Sequence, residues 1–181
     1  MSTAEACTRI QLILSDVDGV LSEGRVVFDS AGVESKAFHI RDGLGIKLWQ
    51  RAGGRFGIVT GRESPVVARR AEELGVDIVH QGVGAKLPVV AAEAERLGLT
   101  LDEVCYIGDD LPDLPPILRV GLGAAVADAA FEVREAAGYV TDLPGGCGAV
   151  RELIEYVLKQ SGRWDAVLAE YLGVGEAQAV G

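Results

Sequence analysis

The chain has 181 residues, of which 49% are hydrophobic, and a formal net charge of −10. That length and composition suit one domain with a sizeable core, and no linker divides it. The acidic balance argues against a nucleic-acid binder or a protein held on an anionic membrane surface, both of which need a basic footprint. An anionic substrate stays compatible, because a pocket can be locally basic or hold a metal.

Short apolar runs alternate with longer amphipathic segments. Ile10 to Ser15 reads as a buried strand that ends in Asp16-Val17-Asp18-Gly19. Arg25 to Asp29 and Glu34 to Ile40 read as two strands joined by a turn around Ser30-Ala31-Gly32, a hairpin. Asp42 is the expected N-cap of a helix through Arg51. A strand over Arg55 to Thr60 precedes a helix over Glu63 to Leu74, with Gly75 as its stop. Next come a strand over Asp77 to His80, a helix over Ala85 to Leu97, and a strand over Val104 to Ile107 ending in Gly108-Asp109-Asp110. After a short helix through Leu118, strands at Gly123 to Ala127 and Gly138 to Thr141 flank a helix from about Ala130, and a long helix runs from Gly148 to Gln160. This alternation predicts an α/β fold with a mostly parallel sheet between two helical layers. The hairpin interrupts it after the first strand and is expected to project as a flap or an oligomer contact. Beyond Tyr171 the small, weakly patterned tail is expected to be mobile.

Cys7, Cys105 and Cys147 are too few and scattered for a disulfide framework or a zinc site. Cys105 lies in an apolar run and reads as core. A reducing, cytoplasmic setting fits, with neither a signal peptide nor a membrane span in view.

In open α/β sheets ligands bind beyond the carboxyl ends of the strands. Three such ends carry unusual polar residues. Asp16 and Asp18, two apart on an extended segment, point to one side and repel unless a cation lies between them or one keeps a proton. An all-oxygen site of this kind favours magnesium, and Asp109 and Asp110 complete it from another strand. One aspartate at a strand end is commonly a cap or turn former; Asp-x-Asp-Gly after one strand and Gly-Asp-Asp after another form a stronger pattern. Thr60, the Gly61 amide and the helix just beyond form a phosphate cradle, and Arg62 can fork onto an anionic group, although Thr-Gly-Arg alone also fits an ordinary strand-to-helix junction. Lys86 is either a solvated surface lysine or a cationic partner for phosphate. Together the groups fit phosphoryl transfer in which one carboxylate attacks phosphorus and another moves the proton.

The motifs Asp16-Val17-Asp18-Gly19-Val20, Thr60-Gly61-Arg62, Lys86 and Gly108-Asp109-Asp110-Leu111-Pro112-Asp113 resemble, in order and spacing, those of the haloacid dehalogenase-like phosphatases. The resemblance covers roughly Ile10 to Leu158. Gly32, Glu34, Lys36 and Phe38 in the hairpin, His39-Ile40-Arg41-Asp42-Gly43, and the stretch from Gly145 to Glu152 are similar to the 3-deoxy-D-manno-octulosonate 8-phosphate phosphatases. This resemblance implies a Rossmann-like three-layer fold without a cap domain, as a phosphatase domain over residues 8–160 with a hairpin flap over 25–40 and a C-terminal helix and flexible tail over 161–181. It implies a homotetramer in which a neighbouring subunit closes each site. It also implies Asp16 as nucleophile, Asp18 as acid and base, Thr60 and Lys86 as catalytic partners, and magnesium on Asp16, the Asp18 carbonyl and Asp109. Asp110 would steady metal-bound water and Asp113 would support Lys86. Cys147 stands where the family commonly carries a basic residue, which leaves Arg41 and Arg62 for the carboxylate or hydroxyls of a sugar-acid phosphate; a structural ion pair is the other reading of Arg41. His39 reads as a packed or hydrogen-bonded histidine.

Three other readings compete. Arg41 and Arg62 disfavour a nonulosonate 9-phosphate phosphatase, whose branch often lacks them. The intact set of Asp16, Asp18, Lys86 and Asp109 argues against an idle assembly module of sugar-nucleotide synthesis. The absence of a cap weakens a phosphotransferase or mutase, which must exclude water.

Overall fold

The computed structural model describes residues 3–173. Its frame is a six-stranded, all-parallel sheet in the order β5-β4-β1-β6-β7-β8. The strands are β1 (Leu12–Ser15), β4 (Arg55–Val59), β5 (Ile78–His80), β6 (Val104–Gly108), β7 (Leu122–Ala125) and β8 (Tyr139–Val140). A separate antiparallel pair, β2 (Val27–Phe28) and β3 (Glu34–Ser35), forms the hairpin.

Parallel strands need crossovers, and helices supply them. Helices α2 (Ile40–Arg51) and α3 (Pro65–Leu74) cover one face, where α1 (Thr3–Arg9) and α7 (Ala149–Gln160) join α2. Helices α4 (Lys86–Arg96), α5 (Leu114–Ile117) and α6 (Phe131–Ala136) cover the other. The last helix, α8 (Trp164–Leu172), packs on α7. With both faces covered, central strands are apolar throughout rather than alternating; all residues of β1, β6 and β7 are buried. β1 lies between β4 and β6, with Leu12 opposite both Arg55 and Val104. From β1 the chain winds outward to β5, then returns to the other side for β6. The strand order therefore reverses beside β1, where such sheets hold their ligands. No described helix is long and apolar enough to cross a membrane.

The strand and helix alternation matches the sequence reading, with differences at three places. Helix α1 was not expected: seven residues form no stable helix alone, and burial of Ala6 and Cys7 against the body holds it. The hairpin strands are two residues each, far shorter than the runs read from sequence. A two-stranded ribbon outside the main sheet has little to extend against. Its turn is set by the Asp29 carboxylate, which accepts from the amides of Ala31 at 2.8 Å and Val33 at 2.9 Å. Finally, α2 begins earlier than expected and is capped by His39, whose Nδ1 accepts from the Arg41 amide at 3.2 Å. Asp42 is buried inside the first turn, and its Oδ1 accepts instead from the Arg151 amide at 2.8 Å. It caps α7, 109 residues away, which local sequence cannot reveal. The expected tail beyond Tyr171 lies, from Val174 onward, outside the described residues.

Candidate active site

The carboxyl end of β1 carries Asp16. Its amide still donates to Ile107 O at 3.1 Å, so the ladder with β6 fixes the backbone where the side chain leaves the sheet. The chain then closes a tight loop, in which the Leu21 and Ser22 amides donate to Val17 O at 2.9 and 3.0 Å. Gly19 sits there at φ +93°, where a Cβ would overlap the Asp109 carboxylate. The Gly145-Gly146 pair backs this loop: the Gly146 amide donates to Val20 O at 2.8 Å, and a Cβ on Gly145 would overlap Gly19 O. The glycine-rich stretch singled out in the sequence thus supports the loop after β1 from behind.

Lys86, the first residue of α4, is buried. Its ammonium lies 2.8 Å from Asp16 Oδ2 and 2.6 Å from Asp113 Oδ1. Burial works against its charge, but the two carboxylates outweigh burial and raise its pKa. Asp113 is saturated: Oδ1 also accepts from Tyr106 OH at 2.7 Å, and Oδ2 from the amides of Asp109 at 3.0 Å and Asp110 at 3.3 Å. Tyr106 was missed in the sequence; its signal was a hydroxyl in an otherwise apolar strand.

Carboxylate oxygens of Asp16, Asp109 and Asp113 lie within 4.8 Å of one another. Asp113 is engaged by its donors and only 1% exposed, whereas Asp16 and the half-buried Asp109 are more open to the cavity. Among the described residues no hydrogen-bond donor meets the Asp109 carboxylate, and its pKa is pushed up to about 7 by burial and then by the charges of Asp16 and Asp113. Burial likewise raises Asp16, helped by Asp113 and opposed by Lys86. Clustered oxygen donors with one lysine among them fit a hard divalent cation, which would relieve the repulsion.

Around this cluster opens a cavity of about 440 Å³, lined by Asp16, Asp18, Thr60, Gly61, Arg62, Lys86, Asp109, Asp110 and Asp113 among others. Thr60 is held on both backbone sides, its amide donating to His80 O at 2.9 Å and its carbonyl accepting from Val83 at 3.0 Å. Arg62 stands at the mouth, donating to Glu34 Oε1 at 2.7 Å. Asp110 sits on the exposed rim, where its Oδ1 accepts from the Leu111 amide at 2.8 Å. Of the residues expected at the site, only Arg41 is elsewhere within the chain. Its position at the start of α2 places it in a separate groove with Leu44, Leu143, Arg151 and Glu152. Sequence reading also passed over what Glu34 and Lys36 do: Lys36 pairs with Asp18, and Glu34 with Arg62 and Ser64. The available signal was their spacing of two on a strand, which puts both on one side.

Comparison with known proteins agrees with this geometry. Residues 75–152 match the model of the haloacid dehalogenase-like hydrolases. The 3-deoxy-D-manno-octulosonate 8-phosphate phosphatase of Haemophilus influenzae is 38% identical over 154 residues, 85% of this chain and 86% of the relative. That of Escherichia coli K12 is 41% identical over 156 residues, 86% of this chain and 83% of the relative. The crystal structure of the Moraxella catarrhalis enzyme, in complex with a magnesium ion, a phosphate ion and a KDO molecule, superposes with a TM-score of 0.91 at 40% identity, covering 93% of this chain and 97% of the other. The chain belongs to the 3-deoxy-D-manno-octulosonate 8-phosphate phosphatase family of haloacid dehalogenase-like hydrolases.

Proposed function

We propose that this chain is a magnesium-dependent phosphatase of 3-deoxy-D-manno-octulosonate 8-phosphate, working in the cytoplasm on a step toward lipopolysaccharide. The observation that carries this reading is the meeting of Asp16, Lys86, Asp109 and Asp113 at the point where the strand order reverses. The family named above supports the substrate.

One Asp16 oxygen attacks phosphorus as the bond to the sugar oxygen breaks, and Asp18 gives that oxygen its proton. Asp18, now a carboxylate, takes a proton from water. The water oxygen attacks phosphorus, the bond to Asp16 breaks, and phosphate leaves with Asp16 restored. Thr60 and the Gly61 amide donate to phosphate oxygens, Lys86 holds Asp16 in line, and Arg62 meets the sugar acid at the mouth. Asp16, Asp109 and the Asp18 carbonyl would hold magnesium, which supplies positive charge against the carboxylates and the transferring phosphoryl group. Asp113 anchors Lys86, and Asp110 would steady water at the metal site. A phosphate-release assay over eight- and nine-carbon sugar-acid phosphates and hexose phosphates tests the substrate. The eight-carbon acid is expected to give the highest kcat/KM; preference for a nine-carbon acid or a hexose phosphate would replace this assignment.

The raised Asp109 pKa gives a second expectation. Without metal the folded protein keeps a proton there up to about pH 7, whereas the unfolded chain loses it near the ordinary value of 3.8. Stability of the metal-free protein therefore falls as pH rises across that window, the usual sign for an acid whose folded pKa is raised. Magnesium must displace the proton below about pH 7, so its stabilising effect grows with pH. Thermal unfolding with EDTA or magnesium at about pH 5 and about pH 8 checks this. A larger magnesium-induced rise in Tm is expected at the higher pH, and equal rises would contradict it.

The hairpin supports a homotetramer. Val27, Phe28 and Val33 are 51%, 58% and 60% exposed at its outer end, and such apolar groups gain by burial against other copies. Val27→Glu is expected to give smaller species in sedimentation; an unchanged oligomer would remove the hairpin from the assembly.

A further inference from the structure

The hairpin has an inner foot as well as an outer tip. Glu34 and Lys36 turn from β3 and the residues after it toward the mouth of the catalytic cavity. The Lys36 side chain is only 1% exposed. A buried ammonium is costly unless paired, and here it is paired with Asp18 Oδ1, with Glu34 Oε1 3.7 Å away. Glu34 is held in turn by Arg62 and by the Ser64 hydroxyl. The network joins the hairpin to the loops that follow β1 and β4.

The two oxygens of Asp18 are unequal. Oδ1 meets Lys36, with Ser22 Oγ at 3.4 Å, whereas the closest cation to Oδ2 is Arg62 Nε at 3.6 Å, beyond a good hydrogen bond. We propose, resting on the acid and base role given to Asp18 above, that Lys36 is a positioning residue for this reaction: it grips one Asp18 oxygen so that the other faces the leaving oxygen of the substrate. An aspartate side chain rotates freely unless one end is fixed, and proton transfer needs the donor within hydrogen-bond reach of its target. Glu34 acts one step further out, keeping the lysine in register with the cavity.

The dependence on leaving group tests this. An alkyl oxygen needs a proton to depart, whereas 4-nitrophenolate leaves without one. kcat/KM for each class reports the transfer to Asp16. Lys36→Met is expected to lower kcat/KM about 10- to 100-fold for the sugar-acid phosphate and less than about 3-fold for 4-nitrophenyl phosphate, a fraction of what a general acid supplies. Inhibition by inorganic phosphate should not move, and Lys36→Arg should recover most of the loss. If the methionine variant does not fold, Lys36→Gln is read in the same way. Equal losses for both substrates, or none, would overturn the proposal. Asp18→Asn separates the two levels. If it shows the alkyl-selective loss and the Lys36 variants do not, the positioning role alone fails; if it shows none, the acid role of Asp18 fails and the proposal with it.

Discussion

Asp16→Asn is expected to lower kcat by about 10⁴-fold or more, the scale on which removal of an attacking group acts. The change replaces an anionic oxygen by an amide nitrogen, which is no nucleophile, at nearly constant volume. The amide oxygen can still accept from the Val17 amide, as Asp16 Oδ1 does at 2.7 Å. The loop after β1 should therefore persist, held by its own backbone bonds. The variant should fold, and its circular dichroism should overlay that of the wild type. Turnover above roughly one per cent of wild type, in protein free of host phosphatase, would mean that water or another side chain attacks phosphorus directly.

Lys86→Met is expected to cost both activity and fold. The Lys86 and Asp113 side chains are 4% and 1% exposed, so the lysine neutralises a carboxylate that water scarcely reaches, and Asp16 beside it. Removing one member of a buried ionic group leaves the others uncompensated, which costs about 3–5 kcal/mol. For a chain of this size that is a fall in Tm of roughly 6–20 °C. The loss should be greatest in EDTA, where no other cation faces Asp16 and Asp109, and smaller when magnesium is added. A Tm within about 2 °C of wild type in EDTA would show that the buried carboxylates take up protons at little cost. The lysine would then be there for chemistry alone.

Residues whose roles follow from neighbours in sequence were legible; those held by distant partners were not. Apolar runs with charged ends gave β1 and β6, because strands covered on both faces admit little else. The aspartates at those ends stood out because carboxylates seldom follow buried strands in pairs. Asp42 shows the opposite case. Its place before an amphipathic run looks like an N-cap, yet the helix it caps is α7, and only packing of α2 on α7 brings the two together. Helix α1 has too few apolar positions to announce itself. Lys36 stood out only as part of the hairpin's family pattern, and its partner Asp18 comes within reach only when the turn around Asp29 folds β3 back. For Arg41 a motif drew attention to the residue, and the start of α2 places it in another groove within the chain.

The direct test is to trap the covalent species. The protein is mixed with ³²P-labelled sugar-acid phosphate and magnesium, quenched in acid within one turnover, digested, and its labelled peptide sequenced. Label on the peptide bearing Asp16, released by hydroxylamine as an acyl phosphate and missing from Asp16→Asn, is the expected result. Turnover with no protein-bound label at any quench time, or label on a different peptide, would contradict the account.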